Sequence, residues 1–144
     1  MTRHPKPRTL IEHINSQRQL HSKPDVGLYL CEFIRKDTGE SDFFKIGCTG
    51  KKSAKLRFND PDFPDDAYPY RHWDIKIICE VRLPPVRALE LEWDFQQKYP
   101  KNFWIEEKYS FKGIREVFRT SEKYFKLNMK RQFNQFKKEW PEYN

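Results

Sequence analysis

The chain has 144 residues and a formal net charge of +7, from 28 basic against 21 acidic side chains. That length supplies one domain with a core and not two, and no apolar run approaches the roughly 18–20 residues that span a bilayer. The charge excess points to a polyanionic partner, because neutralising phosphates releases counterions.

Residues 1–24 read as a basic arm, with Arg3, Lys6, Arg8, Arg18 and Lys23 against Glu12 alone. Its polar start, broken by Pro5 and Pro7, has no signal-peptide core, so a cytoplasmic protein is expected. Thr9 and Glu12 have the spacing of a capping box, and Leu10, Ile11 and Ile14 follow as the apolar face of a short helix. His4, His13 and His21 fall in this arm without zinc spacing and are expected to be solvated. VGLYLCEFIR reads as a strand, KDTGES as a turn and DFFKIGCT as a second strand, together an antiparallel hairpin. TGKKSAKLRF then reads as a basic helix, with Ala54 and Phe58 inward and Lys51, Lys52 and Lys55 toward solvent.

NDPDFPDDAYPYRHW, with three prolines and four aspartates, is a loop of functional length, and His72 at its end is a candidate substrate contact. HWDIKIICEVRL is a third strand, in which Ile75, Ile77, Cys79 and Val81 alternate with Lys76, Ile78, Glu80 and Arg82. Pro84-Pro85 stops it and opens the helix VRALELEWDFQQKY. KNFWIEEKYSFKG is irregular, and residues 119–144 form a basic helical extension on the same domain, its aromatics Phe125, Phe133, Phe136 and Trp140 expected in the core or in a dimer contact. The order β-β-α-β-α-α predicts an α/β (α+β) fold around a small, three-stranded, mostly antiparallel sheet. Cys31, Cys48 and Cys79 are odd in number and lack CxxC spacing, so buried free thiols in a reducing compartment are expected.

The helix after Pro84 is the most informative element. On a 3.6-residue wheel, Arg87, Glu90, Asp94 and Lys98 make a self-paired polar stripe, while Ala88, Leu91, Phe95 and Tyr99 face the core. Glu92 belongs to the core-facing group. A carboxylate there costs several kcal/mol unless something pairs it. It is therefore either a boundary glutamate with an ion partner, or a metal ligand or general base looking into a cleft.

Gly27-Leu28-Tyr29 on the first strand, Lys45-Ile46-Gly47 with Thr49 ending the second, Arg57 in the next helix and Ala88-x-x-Leu91-Glu92 on the later one occur in a fixed order. This order resembles the GIY-YIG nuclease superfamily. The nearer likeness is to the phage and bacterial subgroup whose second motif reads Lys-Ile-Gly and whose A-x-x-L-E helix is followed by a Glu-x-Phe element, here Glu116-Val117-Phe118. The resemblance covers about residues 25–118. It implies a metal-dependent endonuclease that hydrolyses phosphodiester bonds in DNA, in preference to RNA, with one Mg²⁺ or Mn²⁺.

The chemistry of the residues agrees with those roles. Period-two geometry puts Tyr29 and Lys45 on one side of the hairpin. Gly47 lets a phosphate approach, and the amides of the Thr49–Lys52 turn favour an anion. Arg57 offers a fork of donors to a phosphate oxygen, and Glu92 would hold the metal. The resemblance makes Tyr29 the group that activates water. Lys45, in place of a second tyrosine, can grip phosphate but cannot act as a phenolate. Thr49, Lys51, Lys52 and Lys55 would assist substrate binding. Glu116 and Asn102 are further candidates, with Asn128 an alternative to Asn102. The arm and the terminal helices would grip the backbone, and a chain without a separate recognition domain implies low sequence specificity or a homodimer. Two other outcomes fit the same residues: a silent nucleic-acid-binding module, and a basic domain that meets an acidic protein.

Overall fold

A computed structural model describes residues 9–55, 72–103 and 116–144. Two short helices, α1 (Leu10–Ser16) and α2 (Arg18–His21), precede the hairpin of β1 (Val26–Arg35) and β2 (Ser41–Thr49). Then come β3 (Trp73–Leu83), α3 (Pro85–Lys98), the two-residue β4 (Val117–Phe118), α4 (Phe125–Glu139) and a closing 3₁₀ turn at Pro141–Tyr143. Thr9 caps α1 as expected, its hydroxyl accepting from the Glu12 amide at 3.1 Å. Ala54 and Lys55 are helical; the rest of that expected basic helix, Arg57 included, lies outside the described residues.

The sheet has four antiparallel strands in the order β3-β1-β2-β4, not three. The extra strand is Val117–Phe118, paired with Lys45 and Phe44, and two residues are too few to set up a periodicity. β1 runs between two neighbours, so Val26 to Phe33 are all buried. The hairpin turns at Gly39, whose φ of +73° suits a residue without a side chain.

Two cores sit on the two sheet faces. On one, Leu28, Leu30, Ile46 and Val81 pack against Ala88, Leu91 and Phe95 of α3 and Phe125, Met129 and Phe133 of α4. On the other, Tyr29, Cys31, Phe33 and Phe43 gather with Ala54, Trp73 and Val117. The expected alternation of β3 fails at one point. Leu30 pairs with Cys79 but Cys31 with Ile77, so Ile78 is bulged. Ile75 and Ile77 therefore pack on the Tyr29 side, while Cys79 and Val81 pack with the α3 and α4 side. Beyond the bulge, Glu80 and Arg82 stand opposite Tyr29 and Gly27.

The N-terminal arm also differs from expectation. α1 packs against α3, His13 is buried rather than solvated, and Ile11 is 72% exposed. The buried stripe is the i, i+3, i+4 set of Leu10, His13 and Ile14, which turns Ile11 outward. Among the described residues no helix is long and apolar enough to cross a membrane.

Candidate active site

Tyr29 and Gly47 are direct partners across the hairpin. A methyl built on Gly47 would stand 2.7 Å from the Tyr29 hydroxyl and 2.9 Å from its Cζ, so the phenol lies across the glycine. Gly27 plays the same part for Arg82: a methyl there would meet a guanidinium nitrogen at 2.7 Å. That guanidinium donates to the Lys51 carbonyl at 2.6 Å and to Asp25 at 2.7 Å. Both glycines thus make way for a side chain from the neighbouring strand.

Lys45 joins Tyr29 on the same side, its Nζ 6.0 Å from the centre of the phenol ring. Glu116, the residue before β4, places its Oε2 3.5 Å from the Lys45 Nζ. Burial raises the Tyr29 pKa well above that of an ordinary phenol; Lys45 opposes the shift, and Cys31, Glu116 and Glu92 add to it. The phenol is therefore neutral at physiological pH.

Glu92 is buried in α3, as its place on the wheel requires. Its partner comes from the arm: His13 Nε2 is 2.7 Å from Glu92 Oε1, with both side chains buried. The His13 ring also sits 5.6 Å from that of Trp93. On the sheet side, Cys48 donates to the Ala88 carbonyl at 3.5 Å, and burial followed by the charge of Glu92 holds the thiol well above its usual pKa.

Other expected residues are engaged elsewhere. Thr49 is buried and its hydroxyl accepts from the Lys51 amide at 3.1 Å. The anion at the start of the basic helix is the protein's own: Glu80 Oε2 accepts from the Ala54 amide at 2.9 Å. Lys51, Lys52 and Lys55 are exposed. His72 adjoins Trp73, which pairs with Arg35, six residues and about 20 Å along β1 from Tyr29. Asn102 clamps the Arg119 backbone with both ends of its amide, at 2.7 and 2.9 Å, and Asn128 is exposed on α4.

The structure thus brings together Tyr29, Gly47, Lys45 and Glu116, while Glu92 is carried by α3, whose core residues pack on the other sheet face. His72, Asn102 and Asn128 are not part of this group, and Arg57 is outside the described residues. Sequence reasoning missed His13 and Glu80. The signal for His13 was available, since it falls three residues after Leu10 on the inward face of α1.

Among the described residues no group of three or more His, Cys, Asp or Glu side chains is arranged to hold a metal ion. The carboxylate expected to hold the cation, Glu92, is buried with one oxygen tied to His13. That donor set suits a hard cation that keeps most of its ligands as water and takes one or two carboxylates from protein. Compared with family models, curated proteins and solved structures, the chain matches none of them.

Proposed function

We propose that the chain is a metal-dependent endonuclease of the GIY-YIG type, hydrolysing phosphodiester bonds in DNA with one Mg²⁺ or Mn²⁺. The hairpin–helix–strand–helix order of that superfamily is part of the same proposal. The observation that carries it is the grouping on one sheet face of a phenol lying over a glycine, a lysine beside that phenol and the Glu116 carboxylate at that lysine. A packed core has no need of so many polar groups together.

In this reading Lys45 holds a non-bridging phosphate oxygen, and Gly47 leaves room for the Tyr29 hydroxyl beside it. Tyr29, kept neutral by burial, orients the attacking water through a hydrogen bond rather than as a preformed phenolate. Glu92 would hold the cation, with His13 fixing the turn of its carboxylate. When bound, the cation supplies positive charge that stabilises the leaving oxygen.

The test is nicking of supercoiled plasmid in Mg²⁺ or Mn²⁺. Wild type should convert it to open circle, and Tyr29→Phe and Glu92→Gln should each slow the conversion at least a hundredfold while still binding DNA. An inactive wild type sinks the hydrolytic reading.

One observation favours a second reading, a nucleic-acid-binding module without turnover. Tyr29, Lys45 and Glu92 are only 1%, 7% and 5% exposed, so a phosphate reaches them only if covering atoms move aside. Retarded but intact plasmid, alike for wild type and Glu92→Gln, is the outcome this reading expects.

A further inference from the structure

The strongest unclaimed feature is the outer surface of α4, on the opposite sheet face from Tyr29 and Lys45. At 3.6 residues per turn, Lys126, Lys130, Arg131, Lys137 and Lys138 fall within an arc of about 140° beside the buried stripe, no acidic residue of α4 shares it, and Lys123 lies in the turn just before the helix. All six are exposed. Lys126 reaches the buried Glu32 at 2.7 Å. Lys130, Arg131, Lys137 and Lys138 form no salt bridge among the described residues.

The N-terminal end of the arc has a different character. Phe125 and Phe133 are in the core, but Tyr124 and Leu127 are 58% and 46% exposed. They border a cavity of about 370 Å³, also lined by Phe44, Glu122, Lys123 and Lys126. A row of cations, four of them without a salt bridge among the described residues, that ends at an exposed tyrosine with the Lys123 Nζ 5.4 Å from its ring centre has the two parts of a single-strand binding surface: charge that follows the backbone, and a ring on which a base stacks.

We propose that α4 is a nucleic-acid-binding face separate from the hairpin site, its basic arc following the phosphates of a single strand and Tyr124 stacking an unpaired base. The occupant is a nucleic acid rather than an acidic protein, because charge complementarity alone would not call for an exposed tyrosine at the end of the row. The proposal shares with the hydrolytic reading only the class of polymer, and it does not require that Tyr29 or Glu92 be catalytic.

The full chain is tested by fluorescence anisotropy with a labelled single strand of about 20 nucleotides, the matching duplex, and polyglutamate, across a salt series. Lys130→Gln/Arg131→Gln/Lys138→Gln should weaken single-strand binding at least tenfold and lower the slope of log K against log salt by about 2. Lys36→Gln/Lys76→Gln/Lys101→Gln removes the same charge from other exposed positions and should change neither by as much. Tyr124→Ala should cost about tenfold on the single strand and little on the duplex. All the altered side chains are exposed, so an unchanged melting temperature certifies the fold. Equal losses from the two triple variants, or none from the α4 variant, overturn the proposal. Polyglutamate binding as tight as oligonucleotide binding transfers the face to an acidic protein, and equal effects of Tyr124→Ala on both nucleic acids remove the stacking role. A wild type that binds but never nicks plasmid defeats the hydrolytic reading and leaves this one standing.

Discussion

Gly47 is read at first as an opening for substrate, yet its first occupant is Tyr29: any side chain at position 47 must share space with the hydroxyl 2.7 Å from where its first carbon would sit. Gly47→Ala is therefore expected to cost about 1–3 kcal/mol by overpacking, measured by urea denaturation. Pairing it with Tyr29→Phe, which removes the colliding oxygen, should recover part of that loss, and strict additivity would show that the contact carries no strain. His13 is the second decisive residue. His13→Ala leaves a buried carboxylate without its 2.7 Å partner and should cost about 3 kcal/mol or more. His13→Gln, which can still donate, should cost clearly less. The Glu92 side of this pair was visible in the sequence as a carboxylate on the wrong face of a helix. The His13 side carried a signal too, its spacing of three from Leu10, but apolar Ile11 drew the predicted face one position away.

At the scale of elements, the hairpin, the capped α1 and the α3 helix follow from period and punctuation, so their order was readable from residue types alone. Two features were not. A two-residue strand makes no pattern of its own, and β4 exists because Lys45 and Phe44 offer it a ladder. The bulge at Ile78 hides inside an apolar doublet, Ile77-Ile78, that suits either face. Yet the bulge decides what the Tyr29 side contains, because it turns Glu80 toward the Ala54 amide and Arg82 toward Gly27. Deleting Ile78 removes only the extra residue: Cys79 and Ile77 already face successive residues of β1, so Glu80 and Arg82 stay on the Tyr29 side. The deletion variant should keep its cooperative thermal transition, and Ile78→Val should cost only about 1 kcal/mol. A deletion that abolishes the transition would show that the bulge itself is needed for the register.

Across the whole molecule, burial acts in the same direction on several weak acids. It raises Cys31 and Cys79 to about 12, Cys48 well above the ordinary thiol value, and Tyr29 above the ordinary phenol value. In the unfolded chain these groups lose their protons at about pH 8.5 for thiols and about pH 10 for the phenol, while the native state keeps them. The unfolded state then binds fewer protons, so stability falls as pH rises. The stabilisation is complete below about pH 8.5 and is lost progressively toward pH 12. Urea midpoints measured from pH 7 to pH 11 should decline, and native Cys31 should resist iodoacetamide at pH 8 yet react once unfolded. The part of the site carried by the hairpin and α3 could be drawn from residue types, but its closure by the arm could not, because His13 and Glu92 are 79 positions apart.

That separation sets an order of assembly. During synthesis His13 emerges long before Glu92, and a seven-residue helix cannot hold its shape alone in water. α1 is thus made early yet is among the last elements to be fixed, and a nascent chain stalled before position 92 carries it as an undocked tether.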